Sequence, residues 1–218
     1  QSKVENRNFE IRKNLLKFDD VMNDQRKVIY DQRLDILQSK NIESIFQDML
    51  NESVNKILED NVSEKYDTGF NENEINREIK DLSGKNILVT SKNNIEEYKK
   101  NITKILLSIL EKKYEVVGKE NFMVIVKQLI VQILDQQWKA HLLGLDQLRQ
   151  GIGLRAYAQR DPLNEYKREA FTMFEIMLNN VRILACRLVL LLEFRNEEME
   201  IKKASSSSIK ERLRNKKN

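Results

Sequence analysis

Little in this chain makes for irregular structure. Its 218 residues include one proline, six glycines, one cysteine, one histidine and one tryptophan. So few turn residues leave scant material for hairpins, while abundant Glu, Lys, Leu, Ile and Gln suit helices, and the composition predicts an all-α fold. The lone Cys186 excludes an intrachain disulfide. Flanked by apolar residues in a helical run, it reads as a buried core thiol. A single His141 without a cysteine cluster argues against a metal site, and Asp135, six residues earlier, is poorly spaced to pair with it along a helix. The phosphate-cradle, nucleophile-elbow and zinc patterns GxxxxGKS, GxxxxGKT, GxGxxG, GxSxG, HExxH and CxxC do not occur. The chain on its own therefore reads as non-catalytic, with no cofactor or metal. Long apolar runs are missing too: the most apolar stretch, residues 183–192, is ten residues long and contains Arg187. A bilayer crossing needs about 20 residues, so this stretch reads as a core helix. Nothing at the start resembles a secretory signal, which makes the cytosol the expected compartment.

What is present is charge, unevenly placed. Net charge is +4, yet residues 202–218 hold seven cations against Glu211 alone, a net of +6 that leaves the other 201 residues at −2. The high pI belongs to this tail, so a specific nucleic-acid face on the folded part is not supported. Residues 205–208, four serines, form a low-complexity patch ahead of the basic end.

Helical spacing organises the rest. Over residues 4–37 two apolar series recur every seven residues: Val4, Ile11 and Phe18, and Leu15, Met22, Ile29 and Ile36. This predicts one long helix with a narrow apolar stripe. Gln25 and Gln32 fall where the first series would continue, so a helix docked on other elements fits better than an extended coiled coil. Helical spacing resumes over 42–58, a polar stretch with Gly69 and Gly84 holds a short helix at 74–82, and another helix covers 94–117. Gly118 punctuates, and a strongly apolar helix follows over about 120–150. Asp161 before Pro162 is an N-cap and first-turn proline, starting a last helix that runs to about 192. Residues 39–117 read as a small polar helical subdomain, and two apolar-faced helices joined by about ten residues predict an antiparallel hairpin.

The working end is expected at that hairpin's tip. Gly144, Gly151, Gly153 and Pro162 all fall within residues 142–171, and Tyr157 stands there among Arg149, Arg155 and Arg160. Gly151 and Gly153 are expected to end one helix and Asp161 and Pro162 to start the next, holding Tyr157 between them. Its ring can press on apolar side chains while its hydroxyl hydrogen-bonds, which suits contact with varied polypeptide. Asp19, Asp20 and Asp24 form an acidic cluster near Arg26 and Lys27. Solvated helix charges or contact with a partner domain both account for it.

Three segments carry a resemblance: RNFEIRKNLLKFDDVMNDQRKVIYDQR (7–33), EVVG (115–118) and WKAHLLGLDQLRQGIGLRAYAQRDPLNEYKREAF (138–171). Over residues 1 to about 190 the chain resembles the C-terminal helical part of the SecA protein translocase motors. The resemblance implies a long scaffold helix (1–38), an inserted helical wing (39–117) and a second scaffold part with a two-helix finger whose tip is 151–162 (118–192); composition adds a basic flexible tail (193–218). It implies that the finger enters the mouth of the SecYEG channel, and that Tyr157, flanked by Arg155 and Arg160, contacts the translocating preprotein. The scaffold helix, with Asp19, Asp20 and Asp24 as coupling residues, would touch motor domains that use ATP and Mg. Those motor domains and the family's cysteine-rich zinc segment are missing from this sequence, so neither zinc nor SecB contact is assigned. The implied location is cytoplasmic, peripheral to the inner face of the cell membrane. The alternative is a freestanding helical interaction module whose tail attracts anionic lipid at roughly 1 kcal/mol per cation, or binds RNA nonspecifically.

Overall fold

The structure, a computed structural model, describes residues 2–62, 69–87, 95–155 and 161–194, without the side chains of 2–4, 6–15 and 153–155. Six helices make up nearly all of it: α1 (Ser2–Gln38), α2 (Ile42–Asp60), α3 (Glu72–Ser83), α4 (Ile95–Val117), α5 (Lys119–Arg155) and α6 (Pro162–Leu191). The only strand-like feature among the described residues is an isolated bridge between Val62 and Phe70. The fold is all-α, as composition predicts.

Each boundary has a local cause. Asn41 and Asn71 accept from the backbone N–H groups of Ser44 (3.3 Å) and Glu74 (3.2 Å), capping α2 and α3. Gly118 separates α4 from α5 at φ +85°, a conformation that side chains disfavour. Its N–H still bonds back to the Tyr114 carbonyl at 2.8 Å, and its own carbonyl accepts from Phe122 at 3.0 Å, so two long helices meet at one residue. Lys113 donates to the Leu192 carbonyl, satisfying an orphan acceptor at the end of α6.

Helices α5 and α6 pack antiparallel, because their contacts run in opposite order: Phe122 meets Phe194, Trp138 meets Phe174, and Gly144 faces Met173. Buried residues of α1 to α6 share one apolar cluster that includes Ile29, Phe46, Ile79, Leu106, Leu134 and Val189. Cys186 lies in it, donated to by the Ser53 hydroxyl (3.6 Å), and burial pushes its thiol up to about 12, leaving it inert as a nucleophile. A smaller cluster of Leu145, Ile152, Tyr166 and Ala170 sits farther along the hairpin, covered by Phe18, Val21 and Met22 of α1. The heptad stripe of α1 thus changes partners along its length. Phe18 and Met22 serve the small cluster, while Ile29 and Ile36 serve the large one. No described helix is long and apolar enough to cross a membrane.

Candidate functional site: the hairpin and the strut that holds it

The tip expectation divides in two. Tyr157 and Arg160 lie outside the described residues, and Arg155 is the last residue of α5 with its side chain outside them as well. Within the description, one expectation is corrected: Gly151 and Gly153 do not end a helix, since α5 passes through both to Arg155. A glycine inside a helix costs about 1 kcal/mol relative to alanine, but Ile152 between them is 3% exposed in the small cluster, and that burial outweighs the loss. Nothing lies within 4 Å of where a Gly151 Cβ would sit, so no close approach requires the glycine. Residues 156–160, between the end of α5 and Asp161, lie outside the described residues. Across it, Asp161 is the N-cap of α6, its Oδ1 accepting from the Leu163 N–H at 3.1 Å, with Pro162 in the first turn.

Helix α1 lies against the hairpin through polar contacts that spacing alone did not reveal. Gln25, only 8% exposed, donates from Nε2 to the Ala170 carbonyl of α6 at 3.1 Å, and its Oε1 meets His141 Nε2 of α5 at 2.8 Å. Because the Gln25 amide nitrogen is committed as a donor, its oxygen must accept, and His141 carries its proton on Nε2. The imidazole packs against both Trp138 and Phe174, at ring-centroid distances of 5.5 and 5.7 Å, the two aromatic rings also meeting each other at 6.5 Å. Gln25 broke the heptad series, and that break was the available signal. Its partner could not be read, because the contact spans 116 residues of sequence.

Two ion pairs flank this buried pair. Asp19 meets Arg149 at 2.8 Å, and Arg33 meets Asp135 through Nε at 2.9 Å and a second nitrogen at 3.3 Å. The acidic cluster is therefore split: Asp19 reaches α5, whereas Asp24 faces Lys27 of its own helix at 3.6 Å with both side chains about three-quarters exposed, a contact worth little. Asp20 is exposed. On the outer side, Tyr30, Leu34 and Leu37 are 58%, 50% and 43% exposed and line a groove of about 680 Å³ with Asp135 and Trp138.

Burial holds the His141 imidazole below its ordinary value of 6.5. The unfolded chain therefore takes up this proton before the folded one does. Its contribution to stability is complete above about pH 6.5 and is lost as pH falls from there through the depressed folded value. Chemical denaturation at pH 7.5 and 5.5 is expected to show a larger acid loss for the native chain than for a His141→Gln variant, which keeps an N–H donor but does not titrate. Equal losses would mean that His141 protonates freely in the folded state.

Near the N-termini of α2 and α5, Lys119 pairs with Glu43 at 2.7 Å and Lys127 donates to the Ser39 carbonyl at 3.1 Å. Among the described residues no three His, Cys, Asp or Glu side chains gather as a metal-binding group.

A long helix packed across an antiparallel hairpin, with three helices between them in the chain, makes a helical scaffold. The chain belongs to the SecA Wing and Scaffold domain family, whose profile matches residues 1–193. Similar proteins include the protein translocase subunit SecA of Rickettsia massiliae (44% identical over 191 residues) and that of Rickettsia bellii (45% over 193). In both comparisons 84% of this chain is covered but 21% of the relative, so the chain spans about a fifth of the length of the curated relatives it matches.

Proposed function

We propose that this chain is the wing and scaffold portion of a SecA protein translocase, carrying motion between ATP-driven motor domains and a preprotein passing through the SecYEG channel. The observation that supports it most is the seating of α1 on the α5/α6 hairpin: a helix of 37 residues, roughly 55 Å long, meets the hairpin through two ion pairs and a buried amide. A displacement imposed on the strut then moves the hairpin as a body. The exposed Tyr30, Leu34 and Leu37 stripe on α1 offers the apolar face on which motor domains would bear. In this reading residues 39–117 are the wing, 118–192 the second scaffold part with its finger, and 193–218 the basic tail. Tyr157 at the tip touches the polypeptide, with Arg155 and Arg160 beside it facing the channel. ATP and Mg belong to the motor domains, and the protein works at the cytoplasmic face of the membrane.

A photoreactive residue at position 157 of the full-length protein is expected to crosslink to a preprotein arrested in transit, whereas one at exposed Leu143, on the shaft, is not. Equal crosslinking at both positions, or none at 157, would remove the role given to the tip.

A further inference from the structure

We propose that Asp19, Gln25 and Arg33 of α1 form, with Arg149, His141 and Asp135 of α5, a three-point register clamp that admits a single direction and a single axial setting of the strut on the hairpin. Read along α1, the three points are anion, amide and cation. Along α5 they are the anion Asp135, the imidazole of His141 and the cation Arg149. Because the partners run in opposite order, every anion meets a cation. The same two sequences laid parallel would set Asp19 against Asp135 and Arg33 against Arg149, which is repulsive at both ends.

Axial setting comes from the middle point. Apolar side chains on helices pack non-directionally, so a stripe of Met22, Ile29 and Ile36 alone tolerates a slide by one turn. Gln25 does not tolerate it. Its amide gives to a main-chain carbonyl of α6 and accepts from a ring on α5, two elements at once, and a slide would strand the Gln25 amide and the His141 N–H, which are 8% and 6% exposed. A buried polar pair of this kind costs stability relative to an apolar one and specifies register instead, as a single asparagine does inside a coiled coil. These are positioning residues. Their consequence for transport rests on the finger reading above, while the clamp itself rests on the geometry.

The test is a distance distribution between spin labels at Asp20 of α1 and Lys167 of α6, both exposed, in the 218-residue chain with Cys186→Ala. The otherwise native chain is expected to give one narrow distance. Gln25→Met with His141→Phe keeps volume and removes the polar pair, and should add a second population displaced by roughly one helical turn, about 5 Å. His141→Gln with Gln25 intact retains the donor and should restore the single distance, which a purely space-filling role would not do. If the apolar pair fails to fold, Gln25→Leu alone, with His141 kept, removes the amide's two bonds while leaving the ring cluster in place, and the same second population is expected. A single narrow distance in the apolar variant, or in the Gln25→Leu variant if the first does not fold, overturns the clamp. In the full-length translocase a variant shown to slip should transport preprotein several-fold more slowly. Slippage with normal transport would leave the clamp standing and overturn its link to the finger.

Discussion

Replacing Tyr157 with alanine in the full-length protein is expected to cut preprotein transport by roughly tenfold or more while leaving ATP hydrolysis in the absence of preprotein within about twofold. The magnitude follows from what the side chain can offer at a contact: burying a tyrosine-sized aromatic is worth about 1.5–3 kcal/mol, and each 1.4 kcal/mol is about a factor of ten. The selectivity follows from position. Arg155, the last described residue of α5, is more than four helical turns from Trp138, which with Tyr30 lines the groove where the strut would meet the motor. On the proposed reading, removing the ring would break contact with substrate without altering that groove. Tyr157→Phe separates the two halves of the argument, since it retains the ring and loses only the hydroxyl. Transport by the phenylalanine variant close to the native rate would assign the grip to the ring, and unchanged transport by the alanine variant would remove Tyr157 from the mechanism.

Most of the fold was legible because helical spacing is a local signal. The apolar period over 4–37 and the Asp161–Pro162 start fall within a residue or two of the observed elements. The α5 end was misjudged by about five residues, since glycine propensity counts against a helix and the compensating burial of Ile152 is set by α6, invisible in the local sequence. The site divides along the same line. Asp19 stood out as one of three neighbouring acids, yet which of the three reaches α5 depends on helix phase and docking angle. His141, read in isolation, was an unremarkable packed or surface residue. Its partner's interruption of the heptad series hinted at a buried polar contact without saying with what.

Phe122→Ala is expected to destabilise the chain by about 3–5 kcal/mol, measured by urea denaturation followed by circular dichroism. The ring is fully buried in the first turn of α5, which begins at Lys119 after Gly118, and packs edge-on against Tyr114 of α4 at 5.2 Å and Phe194 after α6 at 5.8 Å. Three segments from widely separated parts of the sequence therefore lose their shared contact together, and a main-chain junction turning at one glycine has little freedom to close the void. Such a loss is a large share of the 5–15 kcal/mol that holds typical domains folded. It also bears on whether the wing is energetically separate. Phe122 belongs to the same apolar cluster as Phe46, Ile79 and Leu106 of α2, α3 and α4, so the midpoint should fall with the slope unchanged and one transition retained. Two transitions, with only one moved by the substitution, would mean that α2 to α4 unfold on their own, and that the cluster is continuous in space without being cooperative.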